Sequence, residues 1–268
     1  MNRILLIIFV SLSFLMQAQV PNQIGVRANG LANATLLVND VWSVKNNIGA
    51  LGMLTKTEVG IAYQNRFLLK EFSNQSVAFN FNSKAGNFGA YFQQTGFSLY
   101  RQMVGGIGYS MKLSDKISSG VSLNYQQIAF GDVYGSTGSL SASVGLFYAL
   151  NDNLDLGVNV ANISRAKISD YQDERFPTVF NIGMKYKFSE GTFWSVEAEK
   201  DLLHPLNIKS GLEIKAHDIF VLRLGMNSYP FQTAFGVGLN IKNLRIDIAT
   251  SWHTTLGINP SAGLVYQF

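Results

Sequence analysis

The sequence predicts an all-β fold, a transmembrane antiparallel β-barrel of about 14 strands with an N-terminal lumen plug (hatch) segment. Three observations predict it. Short segments of alternating apolar and polar residues recur along the chain, short and longer turns alternate between them, and the last segment ends on an aromatic residue. The composition agrees, because 47% of the 268 residues are hydrophobic and only 14% are charged, against roughly 25% charged in soluble domains.

Residues 1–18 are predicted to be a signal peptide. Arg3 precedes an apolar run from Ile4 to Met16, which is the pattern of a secretory signal. The alternative is a membrane anchor, but the run is short for a helical span of about 20 residues. We place cleavage after Ala18. The chain has no cysteine, which excludes disulfides, cysteine-based metal sites and thiol catalysis.

Residues 19–55 do not alternate, and we predict that they form a plug in the lumen. They are mostly small or apolar and precede the first strand, so the mouth of the lumen is the nearest place to bury them. A passive filling of the lumen and a docking arm outside it are the alternatives. The candidate plug residues are Leu36, Leu37, Asp40, Trp42, Asn46, Asn47 and Gly49.

Residues 56–268 are predicted to form the barrel. An even number of strands places both termini on the same side of the membrane. The expected strands are 57–67, 75–83, 87–95, 99–112, 116–130, 138–150, 153–163, 177–188, 192–200, 207–216, 218–227, 232–241, 244–252 and 260–268.

The connections between these strands favour a barrel over a soluble β-sandwich. Every second connection is short and rich in Gly, Asn, Asp or Ser, which suit tight turns. We expect these at 84–86, 113–115, 151–152, 189–191, near His217 and at 242–243, all in the periplasm. The intervening connections are generally longer, and the largest, 131–137 and 164–176, are expected outside the cell.

Alternation also separates a lipid face from a lumen face. Val77, Phe79 and Phe81 are examples of the first, and Asn80 and Asn82 of the second. Opposite charges on neighbouring strands are expected to pair laterally in the lumen. Two interpretations remain open. The charges form a solvated and paired lining that holds the shape of the barrel, or they have a function, as a polar conduit or as an electrostatic latch for the plug. The candidate lumen charges are Lys185, Lys187, Glu197, Glu199, Lys209, Glu213, Lys215, Arg223, Arg245 and Asp247.

Catalysis, metal binding and nucleic-acid binding find no support in the sequence. Glu197 and Glu199 share one strand face with lysines expected on both sides, so both are expected to stay ionised rather than act as an acid and base. The three histidines fall near different strand ends, without metal-ligand spacing. Lys and Arg are scattered at a net charge of +4 and form no basic patch. We therefore expect a non-enzymatic protein with no cofactor and no nucleic-acid partner.

The C-terminal strand carries a candidate insertion signal, Tyr266 and Phe268. Ala262, Leu264, Tyr266 and Phe268 form one oily face of this strand. A terminal aromatic of this kind is typical of barrels that close on their last strand and are recognised by the barrel insertion machinery. That machinery and outer membrane lipid are therefore expected partners.

The N-terminal segment and the later strands also resemble a known family. The segment has a Gly-, Ala- and Arg-containing start at 25–34, then Trp42, then Asn47-Ile48-Gly49-Ala50-Leu51 in place of an Asn-Pro-Ala-Gly-Leu motif, whose proline is missing. With 197–202, 208–213, 220–226 and 244–249, this resembles FadL-like barrels and their PorV/PorQ-type relatives in the Bacteroidota. The resemblance implies a fourteen-stranded barrel with a partly blocked lumen.

The resemblance implies two possible functions. The first is a component of a secretion or envelope-assembly complex of the PorV type, as in type IX secretion, with other envelope or secretion proteins as partners. The alternative is a FadL-like transporter of small hydrophobic molecules. Either implies the bacterial outer membrane, with both termini periplasmic.

Overall fold

The computed structural model describes residues 23–131, 135–167, 175–202 and 204–268. The predicted signal peptide lies outside these residues, as do the first residues of the predicted plug and much of the predicted 164–176 loop. The three predicted domain boundaries stay predictions.

The described residues form a closed barrel of fourteen antiparallel strands, which confirms the predicted fold class. Each strand pairs with its neighbours in sequence, and β1 pairs with β14 to close the ring, with Gly60 opposite Val265. The strands are β1 (Glu58–Asn65), β2 (Ser73–Ser83), β3 (Gly86–Phe97), β4 (Tyr100–Lys112), β5 (Ile117–Ala129), β6 (Ser136–Ala149), β7 (Leu154–Ala161), β8 (Val179–Ser189), β9 (Thr192–Asp201), β10 (Asn207–Lys215), β11 (Phe220–Ser228), β12 (Phe231–Ile241), β13 (Leu244–His253) and β14 (Gly257–Gln267).

The strand bounds differ from the predicted ones by a few residues, and β14 differs for a clear reason. The sequence placed its start at Pro260, whereas the strand begins at Gly257 and runs through the proline. Pro260 lies opposite Thr250 of β13, but beyond the last residue paired with β1, Ser261. A proline is tolerated there because β14 pairs with only one neighbouring strand at this position, as an edge strand does.

The two faces of the wall are those that the alternation predicts. Val77, Phe79 and Ile182 are examples of large apolar side chains exposed on the outside, whereas Asn80 and Asn159 are buried on the inside. An exposed apolar surface of this extent, running around a closed sheet, is typical of membrane barrels. None of the helices among the described residues is long and apolar enough to cross a bilayer.

The connections lie at two rims. The turn rim carries the short connections 84–85, 113–116, 150–153, 190–191, 216–219 and 242–243. The loop rim carries the others, of which 66–72, 130–135 and 162–178 are the longest, while 98–99 and 229–230 are as short as turns. β1 starts and β14 ends at the turn rim, where Phe268 N donates to Thr57 O at 2.9 Å. Which rim faces the periplasm stays a prediction.

Residues 23–57, here called the hatch, pack against the inner wall. They contain three short helices, α1 (Val26–Gly30), α2 (Ser43–Asn46) and α3 (Ile48–Leu51). Three apolar clusters join the hatch to the strands, and the smallest packs Leu31 and Val38 against Phe193 of β9. In the largest, hatch residues including Val41 and Trp42 pack with wall residues including Tyr91 and Val265. In the third, Leu36, Leu37 and Ala50 pack with Phe147 of β6. The hydrophobic core of the molecule is therefore the contact between hatch and wall.

Candidate functional site: the hatch and the cavity at the loop rim

Inward-facing glycines allow the hatch to lie close to the wall. Among the described residues, eleven strands each carry a glycine at which a Cβ atom would meet a hatch atom at 3.2 Å or less. A larger side chain at these positions would force either the hatch backbone or the hatch side chains to shift. These glycines, here called the glycine belt, are Gly60, Gly89, Gly108, Gly120, Gly145, Gly157, Gly183, Gly211, Gly225, Gly236 and Gly263.

The closest approach is between α3 and β6. A Cβ on Gly145 would lie 2.2 Å from Asn47 Oδ1, and a Cβ on Gly49 would lie 2.5 Å from Leu146 N. Asn47 caps α3 by accepting from Gly49 N at 3.0 Å, and its Nδ2 donates to Leu36 O at 2.8 Å. The predicted plug residues Asn47 and Gly49 thus lie where the hatch backbone contacts the wall backbone.

The other predicted plug residues also connect the hatch to itself or to the wall. Asn46 exchanges two hydrogen bonds with the backbone of Ile24, at 2.9 and 3.0 Å. Trp42 is buried, and its ring would collide with a Cβ on Gly25 or Gly60. The backbones of Leu36 and Leu37 are bound by wall charges, because Leu36 N donates to Glu197 at 3.1 Å and Lys185 Nζ donates to Leu37 O at 2.6 Å. Their role as a plug stays a prediction.

Six side chains form a closed ring of ion pairs in which cations and anions alternate, here called the charge ring. Each side chain binds the next one around the ring. The shortest N···O distances of the six pairs, in order, are Arg27–Glu213 at 2.6 Å, Glu213–Arg223 at 2.7 Å, Arg223–Asp247 at 2.7 Å, Asp247–Arg245 at 2.9 Å, Arg245–Asp40 at 3.2 Å and Asp40–Arg27 at 3.2 Å.

The hatch completes this ring. Arg27 and Asp40 belong to the hatch, and the other four residues belong to β10, β11 and β13. Three guanidinium groups face three carboxylates, so the formal charge of the ring is zero. Buried charges need such pairing, because an unpaired one carries a large desolvation penalty. The ring therefore depends on the hatch staying in place.

Two further charge clusters lie on the same wall. Lys209 binds Glu199 at 2.6 Å and Glu197 at 3.3 Å. Lys185 and Lys187 both bind Asp155 at 2.9 Å. Glu197 and Glu199 thus share one buried lysine, an arrangement of paired ions rather than of an acid and a base in a cleft. Among the described residues, no three His, Asp or Glu side chains are grouped to hold a metal ion.

One candidate lumen charge lies apart from these clusters. Lys215, at the end of β10, pairs with Asp218 at 3.0 Å, and the Asp218 side chain is 88% exposed. The alternation places Lys215 on the inner face with Glu213, but the strand ends there. It is therefore a residue of the turn rim rather than of the buried lumen.

An apolar cavity of about 420 Å³ lies at the loop rim. This volume is within the usual range for sites that bind small molecules. The hatch forms one wall of it, with Ile24 and Val26, and β1 and the 66–72 loop contribute Ala62, Phe67, Leu69 and Phe72. Polar side chains also line it, among them Gln64, Arg66, Asn74, Gln232, His253 and Asn259.

The 66–72 loop holds Arg66 at this cavity. Phe67 and Leu68 both adopt φ of +58°, a left-handed conformation that costs about 1–3 kcal/mol per non-glycine residue and persists only where other contacts enforce it. Phe67 N donates to Asn259 Oδ1 at 2.9 Å, and its ring packs edge-on against His253 at 6.1 Å. Burial lowers the pKa of Arg66 to about 10.

A second cavity of about 330 Å³, with more polar residues in its lining, lies at the same rim between β3–β6 and residues of β7–β9 and their connections. Amides and hydroxyls such as Gln93, Asn124 and Ser141 line it, and Lys45 of the hatch reaches it. Burial, together with the positive charge of Arg66, lowers the pKa of Lys45 to about 7. Lys45 Nζ donates to Gln93 Oε1 at 2.9 Å, so at this cavity the hatch is hydrogen-bonded to β3.

Sequence reasoning did not single out Arg27, Glu58 or Arg66. Glu58, the first residue of β1, accepts from Val41 N at 2.9 Å and so fixes the hatch. Arg27 lies in the 25–34 stretch of mostly small residues. A single arginine in a segment expected to be buried is itself a signal, since charged residues are rarely buried unless they are paired. For Arg66 no signal existed, because the loop conformation that buries it involves no glycine.

The candidate insertion residues lie on the lipid face at the turn rim. Tyr266 and Phe268 are 42% and 67% exposed, and their ring centres are 5.0 Å apart at a near-perpendicular angle. This position is compatible with recognition from outside the barrel, but their role stays a prediction.

No family model matches the sequence, and no curated protein does. Solved structures do match. The chain is similar to the toluene transporter TodX of P. putida, with 13% identity, 92% of this chain and 99% of that chain covered, and a TM-score of 0.73. It is similar to the toluene transporter TbuX of Ralstonia pickettii, with 14% identity, 92% and 98% covered, and a TM-score of 0.65.

A FadL homologue from Pseudomonas aeruginosa also matches, with 12% identity, 92% and 97% covered, and a TM-score of 0.62. At these identities the likeness shows that the chain shares the fold of FadL-type outer-membrane barrels. None of these three structures is of a PorV- or PorQ-type protein, and that part of the resemblance stays a prediction.

Proposed function

We propose that this chain is a FadL-like transporter of small hydrophobic molecules in the bacterial outer membrane. The apolar cavity at the loop rim is the observation that carries the proposal. It has the size of a small-molecule site, and the hatch forms one wall of it. A molecule held there is adjacent to the hatch, which lies inside the barrel and is not part of its wall.

The wall and the hatch are consistent with a gated rather than an open channel. The hatch lies against glycines of eleven strands and completes the charge ring. A solute cannot pass such a contact surface unless the hatch rearranges. Transport through this barrel would therefore be coupled to movement of residues 23–57.

The similar structures favour transport over a role in secretion. TodX and TbuX are described as toluene transporters, and CymD, with a TM-score of 0.70, as a monoaromatic hydrocarbon channel. The resemblance in sequence favours the secretion component over the transporter, and the solved structures favour the transporter. The cavity supports the transporter, because its volume lies in the range of small-molecule sites.

Filling the cavity tests the proposal. Ala62→Trp places an indole into the cavity. The control is Ile61→Trp, which places the same side chain at the neighbouring position on the lipid face, where Ile61 is 52% exposed. In cells producing each protein, the readout is the uptake rate of N-phenylnaphthylamine, an uncharged dye that fluoresces once past the outer membrane. We expect wild type and Ile61→Trp to raise uptake equally and Ala62→Trp to abolish the increase. If wild type gives no increase over cells lacking the protein, the proposal is wrong.

A further inference from the structure

The second cavity of the loop rim presents hydrogen-bonding groups that the described residues leave unused. Thr95 and Gln102 line this cavity, and neither side chain forms a hydrogen bond within the described part of the chain. Gln93, which is 6% exposed, uses only its Oε1, which accepts from Lys45. Gln126 uses only its Nε2. Since buried polar groups are normally paired, these unused amide and hydroxyl ends indicate a polar partner in the cavity.

The four side chains form one patch of the inner wall, here called the polar patch: Gln93, Thr95, Gln102 and Gln126. Thr95 of β3 lies directly opposite Gln102 of β4. In the next row, Val104 of β4 lies between Gln93 of β3 and Gln126 of β5. Neighbouring strands are about 4.8 Å apart, and successive residues on one face of a strand are about 6.8 Å apart. The patch therefore measures about 10 by 7 Å, which is about the size of a six-membered ring with its substituents.

The charged groups around the polar patch favour a neutral ligand. Two carboxylates reach this cavity, and both have partners on the protein. Glu199 binds Lys209 at 2.6 Å, and Asp201 lies 2.8 Å from Nδ1 of His204. A charged ligand would have to compete with these pairs, whereas the unused groups of the patch are neutral. Phe176 adds apolar surface on which the C–H face of a ring can lie.

We infer that this cavity binds a small neutral polyol, a molecule of the size of one monosaccharide. A primary amide offers a donor and an acceptor side by side, and each hydroxyl of a polyol is both, so neighbouring hydroxyls can pair with the unused ends of the patch. A purely hydrophobic ligand would cover these ends without pairing them, which costs free energy for each group that loses water.

The size of the cavity agrees with this ligand class. Its volume of about 330 Å³ is at the lower end of the range of roughly 300–1,000 Å³ for small-molecule sites, which suits one ring rather than several. The inference concerns a site separate from the apolar cavity, and it does not depend on the proposed transport of hydrophobic molecules.

Ring compounds that differ in their hydroxyl groups test the inference. D-Glucose, D-galactose and myo-inositol are each added to the intact protein in lipid nanodiscs, and binding is measured by saturation-transfer difference NMR with empty nanodiscs as the reference. We expect at least one of the three to bind, and cyclohexanol at equal concentration not to displace it. Absence of binding for all three polyols, or displacement by cyclohexanol at equal concentration, overturns the inference.

Two neighbouring glutamines provide matched variants. Gln126 lines the cavity, whereas Gln127 lies on the outer face of β5 and binds Ser136 at 3.1 Å. Gln126→Leu removes the amide at nearly constant size, and we expect it to weaken polyol binding about tenfold, the effect of losing one or two hydrogen bonds. Gln127→Leu should leave the affinity unchanged. Equal affinity of wild type and Gln126→Leu overturns the inference.

Two further variants assign the binding to this cavity. Thr95→Val replaces a hydroxyl of the patch by a methyl group and provides the same test if Gln126→Leu does not show the heat-modifiable migration of a folded barrel. Ala62→Trp fills the apolar cavity and should leave polyol binding unchanged. If Ala62→Trp abolishes polyol binding, the polyol lies in the apolar cavity and the inference is wrong. Dye uptake is expected to depend on Ala62 and not on Gln126, so the two proposals fail independently.

Discussion

Arg27 of the hatch and Glu213 of β10 form a two-pronged ion pair, with Nε 2.8 Å from Oε2 and Nη2 2.6 Å from Oε1. The two residues are 186 positions apart in the sequence. This pair links the charge ring to the hatch, because Arg27 also reaches Asp40 and Glu213 also reaches Arg223. A displacement of α1 would separate the pair and leave Glu213 with a single cation.

The first prediction concerns this pair. Arg27→Gln should lower stability by up to roughly 3–5 kcal/mol, because Glu213 and Asp40 each lose one of their two cations and the buried ring is left with one excess negative charge. Arg27→Gln combined with Glu213→Gln should recover part of the loss, since the excess negative charge is then removed as well. The measurement is the temperature at which the folded gel band converts to the unfolded band.

Lys215→Gln is the control for this experiment, because its partner Asp218 is almost fully exposed and such pairs contribute little. It should leave the transition temperature unchanged. If Arg27→Gln behaves like Lys215→Gln, the charge ring does not hold the hatch in place.

The second prediction concerns the glycine belt. Gly145→Ala should destabilise the docked hatch by about 1–3 kcal/mol, because the new methyl group would overlap Asn47. Gly105→Ala is a matched control on β4, where the nearest atoms would lie at an ordinary 3.7 Å. The readout is again the gel transition temperature. An equal effect of both substitutions would mean that strand glycines matter here only through backbone flexibility.

The barrel could be predicted from sequence because the period of two assigns each residue to a face without knowledge of its neighbours. Phe79 and Asn80, for example, lie on the predicted faces. The charge ring could not be predicted, because Asp40 and Arg245 are 205 positions apart and meet only through the stagger of the strands and the path of the hatch. The apolar cavity depends on positive φ angles at Phe67 and Leu68. The sequence gives no sign of them, because neither position is a glycine.

The third prediction concerns orientation. We expect the loop rim to face the outside of the cell and the turn rim the periplasm. The chain has no cysteine, so single cysteines can be introduced at exposed positions on either rim, Thr255→Cys on the loop rim and Asp152→Cys on the turn rim. A membrane-impermeant maleimide on whole cells should label the first only, and permeabilised cells should show both. Labelling of Asp152→Cys alone on whole cells would show that the turn rim, and not the loop rim, faces the outside.

The fourth prediction concerns the closing strand. Phe268→Ser should lower the amount of folded protein in the outer membrane, because the terminal aromatic on the lipid face is the expected contact of the insertion machinery. Phe231→Ser removes an aromatic of similar lipid exposure, 48%, from the start of β12, and should have a smaller effect. Quantitative immunoblots of outer-membrane fractions provide the measurement. Equal levels for Phe268→Ser and wild type would rule out a role for this residue in insertion.

The fifth prediction concerns the hatch as a plug. Deleting residues 25–50 removes α1, α2 and most of α3 but leaves every strand intact. The wall should still close, because Glu213, Arg223, Asp247 and Arg245 stay paired with one another after Arg27 and Asp40 are lost. We expect the intact protein to conduct ions poorly in planar bilayers and the deletion to conduct well, since the exposed inner wall is polar and lined by glycines. Retained heat-modifiable migration on gels shows that the deleted form is folded. Equal conductance of the two forms would mean that residues 25–50 do not block the lumen, and that a docking role for the segment accounts better for its many contacts.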